Sequence, residues 1–241
     1  MNILILGDLH MEFGKLNQLI SKKNPDILIV CGDFGYWPNL VEEKVKYGWG
    51  GTSYKYIKKE SNCLAKIKPG KTKIYFCDGN HEDHNSLNEY QDGKIHELEK
   101  NIFFCSRGSI LTLSDGRTIL FIGGARSIDK DMRTEGVDWF RQETISNKDY
   151  EYAISHNKRI DIVVSHTCPD YFMPDLIQGN MSKINDPSCK ALDGIFDKYR
   201  PSQWLFGHFH FYKDGYYNGC YWKCLNYLGH QYGGRQFIWL K

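Results

Sequence analysis

Five short apolar stretches of this chain are each followed by a polar motif, and this repeated pairing restricts the fold. The stretches are residues 2–6, 27–31, 73–77, 161–164 and 203–206. The motifs are Gly7-Asp8-Leu9-His10, Gly32-Asp33, Gly79-Asn80-His81-Glu82, Ser165-His166 and Gly207-His208-Phe209-His210. Runs rich in β-branched and aromatic residues are typical of parallel strands covered on both faces. Because ligands of α/β sheets bind beyond the carboxyl ends of strands, all five motifs are expected at such ends.

The spacing within two motifs adds a geometric argument. Asp8 and His10 are two residues apart, as are His208 and His210, and residues at this spacing in an extended chain point to the same side. Glycine precedes the first candidate ligand in four of the five motifs, where it permits a tight turn close to an ion. Carboxylate, amide and imidazole donors suit several divalent cations. The motifs therefore predict a ligand set for two metal ions.

This series of motifs resembles the calcineurin-like metallophosphoesterase family. The family signature runs Asp-x-His, Gly-Asp, Gly-Asn-His-Glu or Asp, a lone His, and Gly-His-x-His, and the resemblance extends here from Asp8 to His210. It implies an α/β fold, a four-layered α-β-β-α sandwich of two mixed sheets flanked by helices. With no appended domain, the chain looks like the small prokaryotic or phage members.

The resemblance also implies roles for individual residues. The first metal would be held by Asp8, His10 and His210, the second by Asn80, His166 and His208, with Asp33 bridging them. His81 would be the general acid. The ions would be manganese first, with iron, zinc, nickel, cobalt or magnesium as alternatives. Two ions roughly 3.5 to 4 Å apart activate a bridging hydroxide for in-line attack at phosphorus.

Each motif alone has an ordinary structural explanation. Gly-Asp and Gly-Asn pairs are common in turns and helix caps, and a lone histidine such as His166 is usually structural. Five motifs in family order make coincidence improbable.

The second motif continues as Phe34-Gly35-Tyr36-Trp37-Pro38. It lacks the acidic and arginine residues that protein Ser/Thr phosphatases of this family carry here, which disfavours a protein phosphatase.

Length and pattern indicate one domain over residues 1–241 with alternating strands and helices. Helices are expected at about residues 15–22, 54–66, 149–156 and 189–199. Residues 101–123 predict antiparallel strands with a hairpin turn at 114–117. Strands are also expected within residues 214–226, with a type I′ turn at Asn218-Gly219, and within 235–240.

Two features bear on the compartment. The chain opens with a predicted strand, which leaves no space for a signal segment, and it has no run of ~18 apolar residues that could span a membrane. We expect a cytoplasmic protein. The eight cysteines are interpreted as reduced and structural, because several lie within or beside buried strands.

Three further groups have both a functional and a structural interpretation. Arg126 and Arg133 lie in a loop after the strand predicted at 118–122 and are candidates for phosphate binding, with Arg126 favoured; the alternative is surface ion pairing, for instance of Arg133 with Glu135. Residues 41–75 hold nine Lys against three Glu. This excess of positive charge is compatible with nucleic-acid binding, but we favour its interpretation as the solvated faces of a helix and its flanking loops. The last group is a set of aromatic residues that either stack on a base or, as we favour, pack locally: Phe34, Tyr36, Trp37, Tyr47, Trp49 and Tyr54.

Three functional hypotheses follow. The first is a metal-dependent hydrolase of a phosphate mono- or diester with a small or nucleotide-like substrate. The second is a DNA or RNA nuclease of the same fold, which requires a basic groove leading from the Lys-rich segment to the metals. The third is a non-catalytic metal-binding scaffold, which the retention of all candidate ligands and of His81 disfavours.

Of the remaining histidines, His84 alone is close enough in sequence to the site for a secondary role.

Overall fold

The computed structural model describes residues 1–38, 40–46, 52–58, 62–177, 185–230 and 232–241, with the backbone alone for 40–46 and 52–58. Within these ranges the chain forms two six-stranded sheets and a separate hairpin. The hairpin pairs β3 (Leu40–Lys46) with β4 (Thr52–Lys58) in antiparallel fashion.

The first sheet is mixed. Its four central strands run parallel: β1 (Ile3–Leu6), β2 (Ile27–Val30), β5 (Lys73–Phe76) and β7 (Ile102–Cys105). Two antiparallel strands close its edges, β14 (Phe237–Trp239) beside β1 and β6 (Ile95–Glu99) beside β7.

The second sheet repeats this plan. Its parallel strands are β9 (Thr118–Ile122), β10 (Ile162–Ser165), β11 (Gln203–Phe206) and β13 (Cys220–Cys224). The antiparallel edge strands are β8 (Ile110–Thr112) beside β9 and β12 (Lys213–Tyr217) beside β13. All five strands expected before the motifs are present, three in the first sheet and two in the second.

The two sheets pack face to face, and helices cover their outer faces. Alternate residues of β1 face opposite ways: Ile3 and Ile5 join the core between the sheets, whereas Leu4 and Leu6 join the core beneath the first helix. The helices are α1 (Phe13–Lys23), α2 (His84–Leu87), α3 (Asn147–Ile154), α4 (Met173–Leu176) and α5 (Pro187–Tyr199). Residues of α3 and α5 pack on the second sheet, so the predicted four-layered sandwich is confirmed.

One predicted helix is wrong. Residues 54–66 form most of β4 and, further on, a 3₁₀ turn at Cys63–Lys66, while residues 59–61 lie outside the described part of the chain. The sequence from Thr52 to Lys58 alternates polar residues with Tyr54, Tyr56 and Ile57, which suits an antiparallel partner better than a helix. The three other predicted helices exist with shifted ends; α3 begins at Asn147 because Ser146 and Asp149 form a capping box.

The strand-rich segments divide between the two sheets. Within residues 101–123, β7 joins the first sheet, while β8 and β9 form a hairpin of the second around the predicted turn. Asn218 and Gly219 have φ angles of 43° and 90°, as the type I′ turn between β12 and β13 requires.

The cysteine interpretation is confirmed, since all eight cysteines are free and buried. Among the described residues, no helix has the length and apolar character needed to cross a membrane.

Candidate metal centre

The five motifs occupy the loops that leave the carboxyl ends of β1, β2, β5, β10 and β11. These strands belong to both sheets, so the loops meet where the ends of the two sheets adjoin. The backbone carbonyl of Asp33 accepts hydrogen bonds from the amides of Leu9 (3.0 Å) and His10 (2.7 Å). The first and second motifs are thereby held together.

Four candidate ligands have a left-handed backbone. The φ angles are 46° at His10, 42° at Asp33, 69° at His208 and 54° at His210. Residues with a side chain seldom adopt this conformation. Each instance costs on the order of 1–3 kcal/mol and persists only where the surrounding structure fixes it. Such strain concentrates at functional sites.

One group of side chains converges on the first of two points. Asp8, His10, Asp33 and His210 each offer an oxygen or nitrogen atom, and these four atoms lie within 4.8 Å of one another. His210 Nε2 is 2.9 Å from His10 Nε2 and 3.1 Å from Asp8 Oδ2. His10 Nε2 is 3.6 Å from Asp33 Oδ2.

A second group converges around His166. Its Nε2 atom is 3.1 Å from Asn80 Oδ1, 3.2 Å from His208 Nδ1 and 3.3 Å from Asp33 Oδ1. Asp33 therefore directs one carboxylate oxygen at each group. The structure thus brings together all seven side chains predicted as metal ligands.

The donor chemistry of both groups fits divalent cations. His166 Nδ1 lies 2.9 Å from the carbonyl oxygen of Cys31, which can only accept, so Nδ1 carries the hydrogen and Nε2 faces the cluster. Burial acts to lower the pKa of His166, but Asp33 and Asp8 outweigh it and raise the pKa to about 10. Burial also acts to raise the pKa of Asp33, and the neighbouring imidazoles, led by His166, hold it well below its usual range. This buried negative charge attracts positive charge to Nε2, where a metal ion competes with the proton.

Two glycines allow the carboxylates to approach the backbone closely. A Cβ atom at Gly79 would lie 2.1 Å from Asp33 Oδ1, and one at Gly207 would lie 1.8 Å from Asp8 Oδ1. Neither contact is sterically possible. Glycine is therefore required at these positions by the proximity of the candidate ligands.

Sequence reasoning gave no role to Glu82, which fixes the loop after β2. Its buried carboxylate accepts hydrogen bonds from three consecutive backbone amides: Phe34 (2.7 Å), Gly35 (3.0 Å) and Tyr36 (2.5 Å). Burial raises the pKa of Glu82, and the amide donors act against that rise. Its place in the third motif, directly after His81, is the sequence signal that could have indicated a role for Glu82.

A buried hydrogen-bond chain also orients Asn80. Glu143 accepts from the Ser127 backbone amide (2.7 Å), the Ser127 hydroxyl (2.7 Å) and the Trp139 indole (2.9 Å). Because the hydroxyl hydrogen of Ser127 points to Glu143, Ser127 Oγ accepts from Asn80 Nδ2 at 3.2 Å. The Asn80 amide oxygen is thereby turned toward His166. Nothing in the spacing of Ser127 and Glu143 predicted this contact.

Arg133 lies over His81 beside the cluster. Its Nη2 atom is 3.1 Å from His81 Nε2, and its Nη1 atom is 3.4 Å from His81 Nδ1. Asp129 holds the guanidinium with a contact of 2.8 Å. Burial lowers the pKa of His81, Asp33 acts to raise it, and His10 and Arg133 lower it further.

Arg126, the arginine favoured from sequence, lies elsewhere. Its guanidinium donates to the carbonyl of Asn185 (2.8 Å), and it lines a separate cavity with Lys130 and Arg141. The ion pair given as the alternative, Arg133 with Glu135, is not the one formed: Arg133 pairs with Asp129, and Arg141 pairs with Glu135.

The other predicted groups have mixed outcomes. Phe34, Tyr36 and Trp37 are buried, as the packing interpretation requires; Tyr47 and Trp49, and the side chain of Tyr54, lie outside the described residues. Residues 47–51 and 59–61 of the Lys-rich segment also lie outside the described residues. The buried ring of His84 donates a hydrogen bond from Nε2 to the carbonyl oxygen of Gly79 (3.0 Å).

Comparison with known proteins places this arrangement in context. One similar solved structure is GAP50, the anchor in the inner membrane complex of Plasmodium, with 11% identity, a TM-score of 0.51, and coverage of 99% of this chain and 77% of that one. Another is the phosphopantetheinyl hydrolase PptH of Mycobacterium tuberculosis, with 13% identity, a TM-score of 0.44, and coverage of 99% and 96%. At 11% identity the likeness to GAP50 concerns the fold alone.

Sequence comparison is more specific about the family. No curated protein matches the chain. A profile of the calcineurin-like phosphoesterases matches residues 1–212, which include all five motifs and both groups of converging side chains. The chain therefore belongs to the calcineurin-like phosphoesterase family.

Proposed function

We propose that the protein is a binuclear phosphoesterase. Its family membership makes it a metal-dependent phosphoester hydrolase. One ion would be held by Asp8, His10 and His210, and the other by Asn80, His166 and His208. The observation that carries this proposal is the position of Asp33, which directs Oδ2 at the first group and Oδ1 at the second.

Divalent ions bound here would act as Lewis acids toward phosphoryl oxygens and lower the pKa of water. Arg133 supplies a guanidinium that can bind phosphate oxygens in bidentate fashion, and Asp129 orients it. In the reaction, the oxygen of one water molecule bonds to phosphorus and the ester P–O bond breaks. The departing oxygen takes a proton and leaves as an alcohol.

His81 is the proposed donor of that proton. Its backbone amide donates to Asp33 Oδ1 at 2.7 Å, which fixes the ring beside the cluster. Its carbonyl accepts from the Trp37 indole at 3.1 Å. A phosphate anion bound between this His81–Arg133 pair and the metal ligands would favour the protonated ring, because it adds negative charge there. General acids as a class contribute roughly 10² to 10⁴ in rate.

Manganese is the proposed metal, and the proposed substrate is an ester of a small or nucleotide-like alcohol. A cytoplasmic location and kinship with small prokaryotic or phage members stay predictions of the sequence. The nuclease alternative also stays a prediction. It depends on a basic groove leading from the Lys-rich segment, residues 41–75, to the metals, and residues 47–51 and 59–61 of that segment lie outside the described part of the chain.

The test uses metal-stripped protein reloaded with manganese. Hydrolysis of p-nitrophenyl phosphate and of bis(p-nitrophenyl) phosphate is measured for the native protein, for Asp33→Asn and for His81→Ala, with bound metal counted in each sample. We expect turnover that requires metal, loss of one or both ions with activity in Asp33→Asn, and slower turnover with full metal content in His81→Ala. Two bound ions without turnover of either ester would favour the scaffold hypothesis.

A further inference from the structure

Two cavities meet at the side chains proposed to bind the phosphoryl group. The larger has a volume of about 590 Å³ and the smaller about 330 Å³. His81 and Arg133 line both of them. A phosphorus atom seated between this pair and the metal ligands would therefore have space on two sides.

The larger cavity combines candidate ligands with an apolar wall. Asn80 and His208 lie at its polar part, and Phe209 continues from His208, with the two ring centroids 5.1 Å apart. Four further aliphatic or aromatic residues complete its apolar wall: Ile128, Leu176, Ile177 and Phe211. Leu176 is buried, whereas Ile128 is 81% exposed. Such a wall suits an apolar face of an organic substituent.

The smaller cavity opens beside His10. Its lining includes Met11, Gly35, Trp37 and Asp138. Trp37 is fixed, because its indole donates to the carbonyl of His81. Asp138 Oδ1 accepts a hydrogen bond from the backbone amide of Thr134 at 2.6 Å. This cavity therefore offers a second, preformed space for an organic group on the other side of His81.

Beside the proposed metal ions, the junction offers one further cationic side chain to a phosphoryl group. Among the described residues that line the two cavities, Arg133 is the one arginine or lysine, and Asp129 already pairs with it. A phosphodiester carries one negative charge and two organic substituents on the same phosphorus. A monoester near neutral pH carries up to two charges and one substituent.

We propose that the preferred substrate class is a phosphodiester whose larger, apolar substituent lies against Phe209 and whose second substituent occupies the cavity beside Met11 and Trp37. This inference rests on the proposed function, because it places the phosphoryl group at the same centre. Hydrolysis adds one water across a P–O bond and yields a phosphate monoester and an alcohol.

The test uses two monoanions that carry no ester bond and cannot be hydrolysed: diphenylphosphinate and methyl(phenyl)phosphinate. They differ only in the second substituent. Binding of each to the manganese-loaded protein is measured by calorimetry, with inorganic phosphate as a reference ligand. We expect diphenylphosphinate to bind about tenfold more tightly, since burial of a second ring is worth about that factor or more.

Variants assign the substituents to the cavities. Met11→Ala is expected to reduce the preference for diphenylphosphinate while methyl(phenyl)phosphinate binds as before, and Phe209→Ala to weaken both ligands. Tyr216→Ala, which truncates an aromatic side chain 66% exposed on β12, is the control and should change neither. Thermal unfolding verifies that each variant is folded, and the comparison of the two ligands on the native protein needs no variant.

The outcomes separate the two proposals. Equal binding of the two phosphinates, together with turnover of p-nitrophenyl phosphate, would overturn the diester inference and leave the phosphoesterase intact. If inorganic phosphate and both phosphinates fail to bind and neither nitrophenyl ester is hydrolysed, the proposed function itself is wrong. Tighter binding of diphenylphosphinate together with faster turnover of the diester supports both.

Discussion

At the scale of single residues, the orientation of one amide decides whether Asn80 can serve as a ligand. Ser127 accepts from the amide nitrogen and is itself held by Glu143, and both are 1% exposed. The amide oxygen is left facing His166. We expect Ser127→Ala to weaken binding of one metal ion by about 10–100-fold, the usual effect of losing a group that orients a ligand. Competition with a chromophoric chelator measures the affinity of each ion.

Ser109→Ala is the matched control for this variant. Ser109 is also 1% exposed, and no hydrogen-bond partner of its hydroxyl occurs among the described residues. The two variants remove the same atom from equally buried positions. Equal metal affinities in both would show that Asn80 does not depend on Ser127.

A second residue-scale prediction concerns pH. Burial lowers the pKa of His84 to about 4, so between pH 4 and 6.5 the unfolded chain binds a proton at this ring that the folded protein does not. The contribution of His84 to stability is complete above about pH 6.5 and is lost as the pH falls toward 4. The loss amounts to at most about 3 kcal/mol.

His84→Gln retains an amide donor for the Gly79 carbonyl but does not titrate. Urea unfolding of both proteins between pH 4 and 7 measures the difference. The free energy of unfolding should fall less steeply with acidification in His84→Gln than in the native protein. Parallel curves would mean that His84 is not the neutral, buried group described above.

At the scale of elements, the junction between β11 and its loop depends on a glycine. A Cβ atom at Gly207 would meet Asp8 Oδ1 at 1.8 Å, so Gly207→Ala should displace Asp8, weaken metal binding and destabilise the protein by about 1–3 kcal/mol. Gly14→Ala in α1 is the control, because nothing lies within 4 Å of its Cβ position. That variant should gain about 0.5–1 kcal/mol in denaturant unfolding.

Elements also show where local sequence was sufficient and where it was not. Each strand expected before a motif exists, because a short apolar run of β-branched, leucine or aromatic residues that ends at a polar motif has few alternatives. Residues 54–66 are different: lysines and aromatic residues there are compatible with either a helix or a strand, and pairing with β3 decided for β4. Similarly, β7 and β9 look alike in sequence but belong to different sheets.

At the scale of the whole molecule, the candidate ligands connect the two sheets. Asp8, Asp33 and Asn80 follow strands of the first sheet, whereas His166, His208 and His210 follow strands of the second. Bound metal should therefore stabilise the packing of one sheet on the other. A ligand present at a hundred times its dissociation constant adds about 2.7 kcal/mol per site.

We expect EDTA to lower the melting temperature and manganese to restore it. Asp33→Asn serves as the control, because it removes the carboxylate that faces both groups and should show a smaller shift with added metal. An unchanged melting temperature on chelation of the native protein would contradict a site that bridges the sheets.

The sequence by itself determined the strands that carry the motifs, the reduced cysteines and the residue types that converge at the sheet ends, since these depend on local pattern and on chemistry contained in a few neighbouring positions. Only the tertiary structure decided which arginine reaches the site and how Asn80 is oriented. Arg126 and Arg133 are seven residues apart in one loop, and nothing local separates them. Their positions, like the contacts of Ser127 with Asn80 and with Glu143, result from packing between segments distant in the chain, which local periodicity does not encode.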